Sequence, residues 1–107
     1  RAPEIDPSRA VYSADFPAAV GSRPAGDGRW GHADLAGNVW EWTADWHGEY
    51  RDPCRDCQGP PTGAARSLRG GNFAAGPVAG RGPLRSAERG AAPPELRDNG
   101  AGFRCAR

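Results

Sequence analysis

The sequence has no methionine, no lysine and only three cysteines, and it is poor in the aliphatic side chains from which cores are built. Without an initiating methionine, the expectation is a fragment or a processed product of a longer polypeptide. Isoleucine, leucine, valine and phenylalanine together number 12 in 107 residues, which is sparse for a self-sufficient core at this size. The chain is therefore expected to fold poorly alone. No apolar run approaches the roughly 20 residues of a membrane-crossing helix, so no membrane span is expected. No leader peptide is visible, which decides nothing about secretion.

With lysine absent, all 14 basic residues are arginine, and they are spread evenly among 13 acidic residues for a net charge of +1. No basic stripe forms, and nucleic acid is not an expected partner. The arginine, alanine and glycine content reads instead as a trace of GC-rich coding. Glycine and proline make up 27 of the 107 residues. Such a share accompanies disorder when net charge is high and aromatics are few; here charge is near zero and four tryptophans cluster. The reading is a compact, loop-rich domain in which glycine and proline shape the backbone and aromatic rings supply most of the buried area.

Along the chain, residues 1–29 hold scattered prolines and a Gly26-Asp27-Gly28 turn and read as extended strand and loop. In residues 30–46, Val39, Glu41 and Thr43 alternate with Trp40, Trp42 and Ala44, the period-2 pattern of a strand. A turn-rich loop follows over 49–65. Further short strands are expected at 66–73 and 101–106, and residues 76–98 carry too many glycines and prolines for regular structure. No helix-period stretch or internal repeat appears.

Three segments, taken in order, resemble a known family: GHADLAGNVWEWTADW at 31–46, RSLRGGNF at 66–73 and LRSAERGAAPPELRDNGAGFRC at 84–105. They are similar to the successive C-terminal signatures of the formylglycine-generating-enzyme (sulfatase-modifying-factor) family domain. The resemblance implies an α+β, C-type-lectin-like variant fold, loop-rich with little regular secondary structure. Residues 1–107 would be the C-terminal part of one such domain, 1–29 a linker or strand-loop region and 30–107 the signature-bearing region. The family's N-terminal half would then be one partner of this chain.

Enzymes of the family, as the resemblance implies, oxidise a sulfatase cysteine to formylglycine with a copper ion held by two cysteines shortly after the RGG block. Here that stretch reads Ala74-Ala75-Gly76-Pro77-Val78-Ala79-Gly80, and no cysteine lies between Cys57 and Cys105. Soft Cu(I) takes thiolate ligands, so neither copper nor formylglycine-generating activity is expected. A binding or structural module for a protein or small-molecule ligand is the leading expectation. The alternative is an accessory domain of an oxygen-dependent non-heme iron enzyme of the sulfoxide-synthase type; a decayed or truncated copy is a third reading. With only His32 and His47 in the chain, such iron would be held from outside it.

The resemblance also implies a calcium site built from Asp34, Gly37 O, Val39 O and Glu41, an oxygen-only set that suits a hard cation. The plainer alternative has Asp34 capping a turn and Glu41 paired with an arginine such as Arg69. Cys54 and Cys57 form C-R-D-C, a spacing open to zinc, redox chemistry or a local disulfide. A loop-stapling disulfide is placed ahead of free thiols and a metal site, and it favours a secreted, periplasmic or surface-anchored location. Cys105 is expected to be buried. At least two of Trp40, Trp42 and Trp46 are expected in the core, while Asp45 and Glu49 face solvent. His32 and His47 lack a nucleophile at any recognisable spacing. Arg69, Arg85, Arg89 and Arg104 are assigned to carboxylate pairing, or else to an anionic ligand.

Overall fold

Glycine and proline cut the chain into short extended pieces, and four of these pair into one small mixed sheet. The computed structural model describes residues 6–49, 54, 59–75, 84 and 88–105. The strands are β1 (Trp40–Trp46), β2 (Arg66–Arg69), β3 (Gly90–Ala92) and β4 (Ala101–Gly102), preceded by a 3-10 turn at Pro24–Gly26. Their order is β3-β2-β1-β4. β2 runs antiparallel to both β1 and β3, and β4 runs parallel to β1. Among the described residues no helix is long and apolar enough to cross a membrane.

The longest strand forms where β-branched and aromatic residues are densest. Trp42 lies opposite Leu68 and Glu41 opposite Arg69, and the register shifts between Trp42 and Trp46. Thr43 Oγ1 donates to Ser67 O at 3.0 Å, adding a side-chain tie between β1 and β2. β2 stops at Arg69, short of the expected residue 73, because Gly70 and Gly71 adopt φ of +97° and +69°. That left-handed backbone cannot continue a strand.

The strand β3 corrects the expectation that residues 76–98 lack regular structure. Its sequence is Gly-Ala-Ala; the small side chains let it lie beneath an aromatic neighbour. A β-carbon added at Gly90 would sit 3.5 Å from ring carbons of Trp40 and 3.6 Å from Leu68 Cβ. Residues 76–83 and 85–87, including Arg85 and most of the stretch after the RGG block, lie outside the described residues.

The composition of the core also differs from expectation. Its buried apolar members are Ala10, Val11, Leu68, Phe73, Ala75 and Ala92. Trp40, Trp42 and Trp46 are half-buried rather than buried, and Trp30 is largely exposed. A ring this large in a thin sheet keeps one edge outside. Trp46 covers its open face with the Arg66 guanidinium, 3.7 Å from the ring centroid, a stacking that favours arginine. Asp45 and Glu49 face solvent, as expected.

With so little aliphatic bulk, backbone polar groups carry the joining of distant segments. Gly37 and Asn38 sit where three of them meet. Gly37 pairs with Val11 in an isolated parallel bridge and donates its N–H to Gly70 O at 2.7 Å. Asn38 N donates to Val11 O at 2.9 Å, and Asn38 O accepts from Phe73 N at 2.8 Å. The Asn38 amide then pairs with both backbone groups of Ala18: Ala18 N donates to Oδ1 at 2.8 Å, and Nδ2 donates to Ala18 O at 3.1 Å. This side chain acts as one further strand residue for the N-terminal segment. At Gly37, φ is +76° and a β-carbon would lie 2.4 Å from Val11 O, so only glycine fits.

Asn38→Ala in the intact polypeptide removes both bonds to Ala18 and leaves its part-buried backbone groups without partners. The expected loss is about 2–4 kcal/mol of stability, read as a lower midpoint in urea. A midpoint within error of the unsubstituted chain would show that the N-terminal segment is held elsewhere.

Candidate functional site

The loop that delivers the chain into β1 carries two non-glycine residues in left-handed backbone, Asp34 at φ +54° and Asn38 at φ +65°. Short polar side chains tolerate this conformation best. Asn38 uses it for the joining described above. Asp34 uses it to turn its carboxylate back on the preceding loop, where Oδ2 accepts from Gly21 N at 2.9 Å.

Glu41 is the second residue of β1, on the face opposite the Trp40 and Trp42 side chains. Its neighbour in the parallel pairing is Gly102 of β4, so the residues following β4 run past it. Arg104 arrives there and donates from Nε to Glu41 Oε1 at 2.8 Å. Its Nη2 also bonds Glu41 Oε1 and closes the ion pair. The same nitrogen reaches Ala33 O at 2.7 Å and Asp34 O at 3.3 Å. The side chains of Arg104 and Glu41 remain 35% and 20% exposed.

These groups line one cleft of about 300 Å³, whose wall includes Asp34, Val39, Glu41 and Arg104. Val20 and Phe103 also border it and are 86% and 78% exposed. The cleft thus brings an ion pair and a second carboxylate together with exposed apolar side chains.

Of the four residues expected to hold a cation, Asp34, Val39 and Glu41 share this cleft, while Gly37 is buried against Val11 and is not among its lining residues. The two carboxylates and the backbone carbonyls are all oxygen donors, the kind that hard divalent cations take. Among the described residues no cluster of three or more His, Cys, Asp or Glu gathers anywhere, so a cation here would draw its remaining ligands from carbonyls and water.

Glu41 pairs with an arginine, as the plainer alternative has it: the ion pair is with Arg104, while Arg69, opposite Glu41 in the β1–β2 register, donates from Nη1 to Glu88 O at 3.3 Å. Glu41 and Arg104 are 63 residues apart, and nothing in the local sequence of either announces the other. His47 Nδ1 lies 3.4 Å from Ser67 Oγ, but that serine is 3% exposed. A buried hydroxyl of this kind packs the sheet and offers no nucleophile to a substrate. Cys54 is disulfide-bonded; Cys57 lies outside the described residues. Cys105 is a free thiol and is exposed, against expectation, because it follows Arg104 out of the short strand β4.

The turn after the RGG block is closed by local bonds. Asn72 Oδ1 accepts from Ala74 N at 3.0 Å and Asn72 O from Ala75 N at 3.1 Å. Ala75 is 7% exposed, and its carbonyl accepts from Ser13 N at 2.7 Å. Its methyl group fills the core and presents no donor atom.

Residues 7–107 match the model of the family described as sulfatase-modifying factor enzyme 1-like domain. The formylglycine-generating enzyme of Streptomyces coelicolor is 42% identical over 88 residues, covering 78% of this chain and 26% of that protein. The serine/threonine-protein kinase pkn1 of Chlamydia caviae is 37% identical over 109 residues, covering 97% of this chain and 17% of the kinase. The chain therefore spans about a quarter or less of the length of these curated relatives. Among solved structures, Treponema denticola variable protein 1 superposes with a TM-score of 0.73 at 30% identity, over 90% of this chain and 34% of that one.

If the Glu41–Arg104 pair ties β4 to β1, a double-mutant cycle with Glu41→Gln and Arg104→Gln returns a coupling of about 1 kcal/mol, since the pair is charge-assisted but partly wet. The coupling shrinks in 1 M salt. Additive effects of the two substitutions would show that the pair contributes nothing to the frame.

Proposed function

Since the chain belongs to the sulfatase-modifying factor enzyme 1-like domain family and has its loop-rich α+β fold, we propose that it is a member without formylglycine-generating chemistry, acting as a binding or structural module. The observation that carries this reading is the buried alanine at position 75 in the segment where sulfur ligands are expected. Ala75 is a packing residue, with its methyl in the core and its backbone holding Asn72 and Ser13. No cysteine occurs between Cys57 and Cys105, and without thiolates a Cu(I) centre has no ligands in that stretch. The relatives support re-use of the scaffold, because the same stretch recurs in proteins called a kinase and a variable protein as well as in formylglycine-generating enzymes.

We further propose that Asp34, Glu41 and the carbonyls of Gly37 and Val39 hold a calcium ion in this chain. The support is chemical: two carboxylates border one cleft and every expected donor is oxygen. Bound there, calcium would supply a cross-link between the loop before β1 and the strand itself. A disulfide at Cys54 accords with an oxidising compartment, where calcium is plentiful, and so with a secreted, periplasmic or surface-anchored location.

Copper titration of the intact, reduced polypeptide is expected to give no stoichiometric Cu(I) complex that survives a chelator, and a sulfatase-derived cysteine peptide is expected to keep its thiol. Aldehyde formation on that peptide would refute the non-catalytic reading. Calcium in excess is expected to raise Tm relative to EDTA, by an amount corresponding to about 2.7 kcal/mol at a hundredfold excess over Kd. Asp34→Ala, which removes the side-chain oxygen, should erase the rise. An unchanged Tm would remove calcium from the account and leave the rest standing.

A further inference from the structure

The cleft already contains a cation. Arg104 sits on Glu41 with two nitrogens and reaches the carbonyls of Ala33 and Asp34 with one of them. Its contacts therefore fall on both residues that would supply carboxylates to calcium: on the side chain of one and the backbone of the other. Two carboxylates carry two negative charges, and the guanidinium cancels one. A divalent ion placed beside it would meet a positive charge sharing the same carboxylate, and repulsion at such range is strong wherever water is partly excluded.

The arginine is also open to solvent, its side chain 35% exposed. It follows β4, a strand of two residues, and lies between Phe103, which is 78% exposed, and Cys105, which is an exposed thiol. Resting on the calcium reading above, we propose that Arg104 is the displaceable occupant of this cleft: a divalent cation on Asp34 and Glu41 and the Arg104–Glu41 ion pair exclude one another, and cation binding frees residues 103–105. The C-terminal segment, with its exposed ring and thiol, then responds to calcium as a release rather than as a ligand.

Isothermal titration of calcium into the intact polypeptide and into its Arg104→Gln variant tests this. Loss of the competing charge is expected to tighten calcium binding at least about tenfold, with circular dichroism in EDTA confirming that the variant is folded. In the unsubstituted protein, the Arg104 Nε–H resonance, protected by Glu41 without calcium, is expected to lose its protection from exchange as calcium is added; this measurement decides alone if the variant does not fold. Equal or weaker binding by the variant, or an Nε–H signal unmoved at calcium saturation, overturns the exclusion while leaving the calcium site intact. No binding by either folded protein overturns the calcium reading, and the exclusion with it.

Discussion

A buried amide in left-handed backbone holds this domain together. Asn38 is 4% exposed, and with its glycine neighbour it gathers Val11, Ala18, Gly70 and Phe73 around one corner. Among the described residues, a core of alanines, one valine, one leucine and one phenylalanine excludes too little water to position four short strands by the hydrophobic effect alone. Polar groups paired away from water are therefore decisive, because leaving any one of them unmade costs more than making it gains. The corner also explains the backbone: the Gly37 φ of +76° lets Val11 O approach where a β-carbon would stand.

From that corner the site follows by register. Asn38 fixes where β1 begins, β1 places Glu41 opposite Gly102, and the two residues after Gly102 bring Arg104 onto the carboxylate. The loop that contains Asp34 is pinned at both ends of the same turn, by Gly21 on its side chain and by Arg104 on its carbonyl. The cleft is thus assembled from three chain segments. Its charge balance and the placement of β4 are two aspects of one ion pair.

The sequence made the strands visible where tryptophan and β-branched residues alternate, and it located the ends of β2 only loosely, since glycine signals a turn without saying which residue takes φ above zero. β3 escaped notice because Gly-Ala-Ala lacks strand-forming side chains; it pairs only because Trp40 and Leu68 provide a surface for small residues. The tryptophans misled in the opposite direction. Their size suggests a core, yet Trp40, Trp42 and Trp46 stay half-buried, and Arg66 caps one of them. The residues of the cleft were legible as Asp34, Val39 and Glu41, whereas Arg104 was legible only as an arginine awaiting some carboxylate. Pairing across 63 residues is a property of topology, and topology is what a local pattern does not carry.

The scaffold and the chemistry of this family separate cleanly in physical terms. Among the described residues, the bonds that join the sheet come from backbone groups, Asn38, Thr43 and the Glu41–Arg104 pair. The turn after the RGG block closes through Asn72 acting on the backbone of Ala74 and Ala75, and alanine fills that position without strain. The hydrogen bonds of that turn run to backbone groups of Ala74 and Ala75 and do not depend on their side chains. A frame held by backbone pairing tolerates change in the side chains that its clefts and loops present, because those side chains are not what joins its segments.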